Sequence, residues 1–188
     1  LKHFPELNEY NFDFEKDILK LKKNNNILLE TNINVQSDVE ALCDKIILLI
    51  PKLKRTRLIK DSKNPFFDTM PSNTISLINL NSIKDFEKKI SKNVELERFR
   101  GNIYINGLDA WEERNLIDKT LVINNIKFKV IKEIPRCSAT NIKPNSSKFN
   151  LYVPILLKQI YNHTNLGIYI LPLNNGNIKL NDDILIND

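Results

Sequence analysis

The sequence predicts a mainly β protein with a few short helices and an α+β arrangement in its N-terminal part. Two observations predict this fold class. Short runs rich in Ile, Val and Leu are separated by Asn-rich turns, which is typical of strands joined by hairpins. Apolar residues recur at helical spacing in only a few short stretches. The pattern favours a barrel or a sandwich, and periodicity does not distinguish between the two.

The first predicted element is a hairpin. Asn24-Asn25-Asn26 separates the apolar runs 18–21 and 27–29, and such an Asn-rich stretch between two short apolar runs predicts a turn between strands. The N-terminal part, to about residue 60, therefore begins with short strands.

A helix and one further strand are predicted after this hairpin. Ser37, with Glu40 three residues later, matches a capping box and predicts the start of a helix. Pro51 ends the apolar helical repeat, because proline cannot continue a helix. The stretch 57–59 is predicted to form another strand.

The polar stretch 60–71 is the predicted boundary between two domains, which we place at residues 1–65 and 66–188. Beyond it, residues 74–80 predict a strand and Ser82 predicts the cap of a short helix. Residues 102–105 predict a second strand. The second domain therefore begins with alternating strands and helices.

The clearest local pattern is a second hairpin. The apolar run 121–123 is followed by Asn124-Asn125 and by the alternating run 126–130. Asn tolerates the positive φ that a two-residue hairpin turn requires. Since apolar residues alternate with lysines in the second run, one of its faces is predicted to be buried and the other exposed.

One helix and two strands complete the prediction. Residues 153–161 predict a short helix that Pro154 opens near its first position. Residues 166–173 and 177–186 predict two strands joined around the Asn-Asn-Gly turn at 174–176.

Composition excludes several classes of function. The net charge is +5, but the lysines are scattered without interleaved aromatics, so nucleic-acid binding is not predicted. No apolar run approaches the roughly 20 residues that cross a bilayer, and no signal peptide is expected. With two cysteines and two histidines, the chain lacks the ligands for most metal sites, and we predict neither an iron–sulfur cluster nor a zinc ion. We therefore predict a reducing compartment, the cytoplasm, and no membrane partner.

The pair Arg136-Cys137 is the most informative feature of the sequence. A neighbouring cation favours the thiolate, which is the form of cysteine that binds metal and attacks electrophiles. The alternative is a buried structural thiol, which is common for a free cysteine. Cys43 lies beside an apolar helical stripe and is predicted to pack there.

Four segments, in this order and spacing, resemble the MOSC (molybdenum cofactor sulfurase C-terminal) family. They are Arg98-Phe99-Arg100-Gly101-Asn102-Ile103, Trp111-Glu112-Glu113, Arg136-Cys137-Ser138-Ala139-Thr140-Asn141-Ile142-Lys143-Pro144 and His163-Thr164-Asn165-Leu166-Gly167-Ile168-Tyr169. The resemblance covers about residues 70–186. The first 65 residues are similar to the end of the β-rich domain that often precedes a MOSC domain, whose opening strands are expected to be absent here.

The resemblance implies a β-barrel-like core that holds a molybdenum–molybdopterin cofactor. It implies that Cys137 is the catalytic thiolate ligand of molybdenum and that Arg100 and Asn102 contact the cofactor. Pyridoxal phosphate binding is a further association at the level of the family. The other residues that we predict to bind the cofactor are Arg98, Arg136, Thr140, Asp68 and Thr69.

Residue chemistry agrees with these assignments. A thiolate is a soft ligand suited to a soft metal centre, an arginine binds phosphate through two donors, and an Asn amide pairs with a ring edge. Arg98 and Arg100 are expected to point to one side of an extended segment. The alternative for both arginines is a surface salt bridge, with Glu95 or Glu97 as a partner, and the alternative for Thr140 is a turn-stabilising role.

The remaining motif residues receive structural interpretations. Trp111 is predicted to pack, Glu112 to pair with a nearby cation, and His163 to be structural. The predicted function is reduction of N-oxygenated small molecules with electrons from a separate protein. The first alternative is a sulfur carrier that uses a persulfide on Cys137. The second is an interaction domain without a cofactor.

Overall fold

The computed structural model describes residues 3–60 and 73–187, and these residues form two compact units. The first unit lies within Leu1–Ser62 and also takes in Asn141–Leu151, and the second lies within Lys63–Thr140 and Tyr152–Asp188. The mainly β prediction is confirmed, since the described residues are strand-rich and each unit is built on a sheet. The predicted domain boundary at residue 65/66 stays a prediction.

The first unit contains a three-stranded antiparallel sheet and one helix. Its elements are β1 (Asn11–Glu15), β2 (Ile18–Lys23), β3 (Asn26–Asn32) and α1 (Gln36–Leu49). The predicted hairpin is confirmed, because Asn24 and Asn25 adopt φ of 50° and 66° between β2 and β3. Leu21 of the sheet and Leu42 of the helix are among the buried core residues.

Two local predictions in this unit are wrong. The helix begins at Gln36 after Val35, with no side-chain cap, because Asn32 and Asp38 organise the entry instead. The Asn32 Oδ1 accepts from the Asn34 N–H, and the Asp38 carboxylate accepts from the Asn32 N–H. The predicted strand at 57–59 is not formed; just before it, the Thr56 hydroxyl donates to a carbonyl of α1.

The second unit is built on a curled six-stranded sheet in the order β5-β4-β8-β7-β6-β9. All neighbouring strands are antiparallel except β4 and β5. Its elements are β4 (Ile75–Asn79), α2 (Leu80–Ile90), β5 (Ile103–Ile105), β6 (Thr120–Ile123), β7 (Ile126–Pro135), α3 (Val153–Tyr161), β8 (Asn165–Pro172) and β9 (Ile184–Asn187).

One face of this sheet carries the core. Alternate residues on β7 and β8 are fully buried, because side chains on a strand point to opposite faces. Phe128, Val130, Ile168 and Ile170 pack there with Leu77 of β4. The hairpin predicted at 121–130 is confirmed, with Asn124 at φ 56°, and α3 begins and ends as predicted.

Two predictions for this unit are wrong. Ser82 does not cap α2; the cap is Asn79, whose side chain accepts from the Asn81 N–H, while Ser82 is buried against Glu113. The last strand is only Ile184–Asn187, and it pairs with β6 rather than with the strand before it. Residues 177–183 of the predicted run form no strand and contain a turn at Lys179–Asp182.

Candidate functional site

Two of the predicted motifs lie side by side in the second unit, and two arginines connect them. The first loop (residues 98–102) begins in the last turn of a 3-10 helix, Leu96–Phe99, and the second loop (residues 136–140) follows β7. Arg98 donates from Nη1 to the Thr140 carbonyl at 2.7 Å. In the opposite direction, Arg136 donates from Nη1 to the Phe99 carbonyl at 3.0 Å. We call this reciprocal pair of contacts the arginine brace.

Arg136 is the more extensively bonded member of the brace. Its Nε donates to the Leu166 carbonyl of β8 at 2.8 Å, and its Nη2 donates to the same oxygen. The guanidinium also lies over the Phe99 ring, 5.4 Å from the ring centre. Burial lowers the pKa of Arg136 to about 10, so the group is still cationic at neutral pH.

Gly167 makes room for this guanidinium. It adopts φ +81°, and a Cβ there would lie 2.7 Å from the Leu77 carbonyl oxygen and 3.2 Å from the Arg136 Nη2. A side chain at this position would therefore strain the backbone and press against the brace.

Arg98 is buried, and its Nη2 lies 2.5 Å from a Glu95 carboxylate oxygen. The salt bridge anticipated as the alternative for Arg98 is thus present. The expectation that Arg98 and Arg100 point to one side of an extended segment is wrong. Residues 96–99 form a 3-10 helix and Arg100 adopts the left-handed conformation at φ 52°, which turns the chain between the two side chains.

Arg100 and Asn102 are the exposed members of the first loop. Within the part of the chain that the structure describes, the Arg100 guanidinium has no hydrogen bond or ion pair. The Asn102 Oδ1 accepts from the Ser76 N–H at 3.0 Å and from the Ser76 hydroxyl at 2.7 Å. These bonds fix the amide plane of Asn102 against the start of β4 and leave its NH₂ group as the available donor.

Cys137 is exposed at the start of the second loop. Its carbonyl accepts from the Thr140 N–H at 3.1 Å and from the Thr140 hydroxyl at 2.8 Å. Thr140 therefore stabilises this turn, which was the alternative reading of that residue. The predicted cofactor contacts of Arg98, Arg136 and Thr140 stay predictions, and Asp68 and Thr69 lie outside the described residues.

The sequence did not reveal a second polar assembly in this unit. Asp85 of α2 accepts from the Trp111 indole at 2.8 Å and from the Tyr161 hydroxyl at 2.7 Å. The Trp111 and Tyr161 rings lie 4.3 Å apart, and His163 stacks on Tyr161 at 5.8 Å. Burial, assisted by the positive charge of Arg114, lowers the pKa of His163. These contacts support the predicted packing role of Trp111 and the structural reading of His163.

Glu112 and Glu113, in the same region, make contacts that the sequence did not predict. Glu112 was expected to pair with a cation, but its carboxylate accepts from the Asp109 N–H at 2.8 Å. Glu113 is fully buried, and it accepts from Ser82 at 2.8 Å and from Asn79 at 3.0 Å. Burial raises the pKa of Glu113. Only its place in the Trp-Glu-Glu motif marked this residue in the sequence.

Two further findings concern metals and membranes. Among residues 3–60 and 73–187, no three His, Cys, Asp or Glu side chains group as a metal cage would require. In the same ranges, no helix is both long enough and apolar enough to pass through a bilayer.

The six-stranded sheet and the two motif loops joined by the arginine brace are the features that the comparison with known proteins can test. The model of the MOSC domain matches residues 67–185, and the chain belongs to this family. Mitochondrial amidoxime reducing component 2 of Bos taurus is 29% identical over 115 residues, which are 55% of this chain and 34% of the relative. Mitochondrial amidoxime-reducing component 1 of Homo sapiens is 24% identical over 117 residues, 56% of this chain and 34% of that protein.

The chain thus spans about a third of the length of the curated relatives it matches. Among solved structures, it is similar to YiiM from Geobacillus stearothermophilus, with a TM-score of 0.49 and 16% identity over 61% of this chain and 54% of the other.

Proposed function

We propose that this MOSC-domain protein binds a molybdenum–molybdopterin cofactor and reduces N-oxygenated small molecules. The observation that carries the proposal is the exposed Cys137 thiol on a loop that the arginine brace fixes against the loop of Arg100 and Asn102. The similarity to two amidoxime reducing components supports the reaction class. Because the chain covers only a third of those relatives, the activity is proposed for this domain.

The available donors fit such a cofactor. Cys137 offers a soft sulfur ligand for a soft metal. Arg100 offers an exposed guanidinium that has no partner in the described ranges, and a guanidinium binds phosphate through two donors. The Asn102 NH₂ group offers one more donor at a fixed orientation. We assign Cys137 to the metal, Arg100 to the phosphate and Asn102 to the ring system.

The three residues would each do a distinct task. When bound, molybdenum supplies a centre that changes oxidation state by two electrons. Cys137 holds the metal at the end of β7, and Arg100 and Asn102 fix the cofactor's position relative to that thiolate. The brace keeps the two loops at one separation, which is what a preorganised site requires.

The proposed reaction breaks an N–O bond and forms an N–H bond. It consumes two electrons and two protons and releases one water molecule. We expect the electrons to come from a separate protein with an iron–sulfur, haem or flavin group. The two cysteines of this chain cannot build a four-cysteine cluster. We place the protein in the cytoplasm, where a free thiol stays reduced, and we place its MOSC domain at residues 66–188.

Metal analysis tests the proposal. Protein produced in a host that makes the cofactor is expected to retain molybdenum, and Cys137→Ser is expected to lose it. Cys43→Ser is the matched control, because Cys43 lies half-buried on α1 in the first unit. The loaded protein should reduce an N-hydroxylated amidine with a chemical reductant in place of the donor protein. Equal molybdenum in wild type and Cys137→Ser would overturn the ligand role.

A second candidate function is sulfur transfer, which the exposure of Cys137 also favours. The Cys137 thiolate would attack the outer sulfur of a donor protein's persulfide, the donor thiolate would leave, and Cys137 would carry the persulfide. Incubation with a cysteine desulfurase and free cysteine would then add about 32 Da, one sulfur atom, at Cys137. Bound molybdenum without this adduct favours the reductase.

A further inference from the structure

The second unit contains an open cleft that the proposed cofactor site does not use. Its volume is about 660 Å³, within the range of small-molecule sites. It is lined by the segment that leads into the 3-10 helix Glu112–Leu116, by that helix and by β7. The lining side chains that matter here are Asp109, Trp111, Glu112, Arg114, Asn115 and Glu133.

The charge of this cleft is opposite to that of the whole chain. Three carboxylates, those of Asp109, Glu112 and Glu133, line it with a single guanidinium, that of Arg114. The chain as a whole carries +5. Arg114 already forms a salt bridge, because its Nε donates to Glu133 at 2.9 Å. The cleft therefore attracts cations and offers little to an anion.

The three carboxylates differ in how many of their oxygens already accept a hydrogen bond. Both oxygens of Glu133 are occupied, one by Arg114 and the other by the Asn165 side chain. One oxygen of Glu112 accepts from the Asp109 N–H. In the described ranges, the exposed Asp109 carboxylate has no hydrogen-bond or salt-bridge partner. Asp109 and the second oxygen of Glu112 are thus the acceptors available to a ligand.

One further lining residue, Trp111, is aromatic and is held in place by contacts outside the cleft. Trp111 lines the cleft, its indole N–H is bonded to Asp85 at 2.8 Å, and its ring packs on Tyr161 at 4.3 Å. A fixed indole beside carboxylates is the combination that recognises organic cations, through its ring quadrupole and through charge pairing.

We propose that this cleft is a binding site for a small organic ammonium ion with an apolar body. The ammonium group pairs with Asp109 and Glu112, and the apolar body contacts Trp111. The proposal does not depend on the molybdenum cofactor, because no residue of the cleft belongs to the assigned cofactor site. Glu133, the cleft residue nearest Cys137 in the sequence, lies on β7 four residues before it.

Trp111 makes the test direct, since the chain has a single tryptophan. Benzylammonium is titrated into the full chain while tryptophan emission is recorded, with benzyl alcohol and benzoate as neutral and anionic probes of similar size. We expect benzylammonium to change the emission in a saturable manner. The affinity for benzyl alcohol and for benzoate should be at least tenfold lower than that for benzylammonium. Calorimetric titration of the same pairs gives an independent readout.

Variants assign the change to the cleft. Asp109→Asn and Glu112→Gln keep shape and hydrogen bonding, and each is expected to weaken benzylammonium binding about fourfold, the effect of one unit charge about 5 Å away in water. Asp183→Asn, an exposed carboxylate near the start of β9, is the charge-matched control and should leave affinity unchanged. Tighter binding of benzoate, equal binding of benzyl alcohol, no saturation, or an equal effect of Asp183→Asn would each overturn the proposal.

Discussion

The replacement Arg136→Lys is the sharpest test of the arginine brace. The Arg136 guanidinium donates to two carbonyl oxygens, those of Phe99 and Leu166, through three N–H groups. Lysine keeps the charge but has one nitrogen at the end of its chain, so it cannot span both carbonyls in this geometry. At least one carbonyl therefore loses its charged partner.

The magnitude follows from the bonds lost. A hydrogen bond from a charged donor contributes about 1.5–3 kcal/mol. Two of the three bonds are lost and water replaces part of them, so we expect the free energy of unfolding to fall by about 2–4 kcal/mol. With an m-value of about 2 kcal/mol per molar urea, the midpoint should fall by about 1–2 M.

Urea titration followed by tryptophan emission measures this change, because Trp111 reports on the second unit. Arg100→Lys is the matched control: the side chain is exposed, and in the described ranges no hydrogen bond or ion pair holds it. Its unfolding free energy should change by less than about 0.5 kcal/mol. The reasoning is refuted if Arg136→Lys is as stable as wild type, or if both variants lose the same amount.

Three further predictions concern other residues of the second unit and the two thiols. Gly167→Ala should lower the unfolding free energy by about 2–4 kcal/mol, because the residue has positive φ and its Cβ would lie 2.7 Å from the Leu77 oxygen. Gly107→Ala should lower it by only about 1–2 kcal/mol, because a Cβ there has nothing within 4 Å. Thermal melts in which Gly107→Ala is the less stable variant would contradict this prediction. The pKa of Glu113 is raised from its ordinary 4.5 by burial, so the folded state binds the proton more tightly and the unfolding free energy should fall as pH rises from about 4.5 through the raised pKa. Glu113→Gln should lack that component, and an unchanged pH profile would exclude it. With an aromatic disulfide reagent, the fast thiol reaction should disappear in Cys137→Ser and persist in Cys43→Ser, because Cys137 is exposed and Cys43 is half-buried.

Most turns and helices were predictable from the sequence, because the residues that determine them are close together in the chain. The hairpin around Asn124 and the helix opened by Pro154 depend on residues a few positions apart. The same reasoning failed where the residues in contact are far apart in the sequence. Strand β9 pairs with β6 about 60 residues earlier, and Ser82 bonds to Glu113 instead of capping α2. No short-range pattern carries such contacts.

The candidate site was predictable as a set of motifs but not as a geometry. The order of the motifs indicated that the segments of Arg100 and Cys137 act together, and the brace joins those segments. That Arg98 and Arg136 donate to backbone carbonyls was not predictable, because every residue carries a carbonyl and the sequence does not mark which one accepts. The cleft beside Trp111 was missed because its walls come from segments about 20 residues apart.

X-ray absorption at the molybdenum edge of the loaded protein tests the central claim most directly, because it counts the sulfur atoms bound to the metal. If the Cys137 thiolate is a ligand, Cys137→Ser should lose one sulfur neighbour and gain a lighter atom or lose the metal, while Cys43→Ser should match wild type. A sulfur count that is identical in Cys137→Ser and wild type would contradict the account.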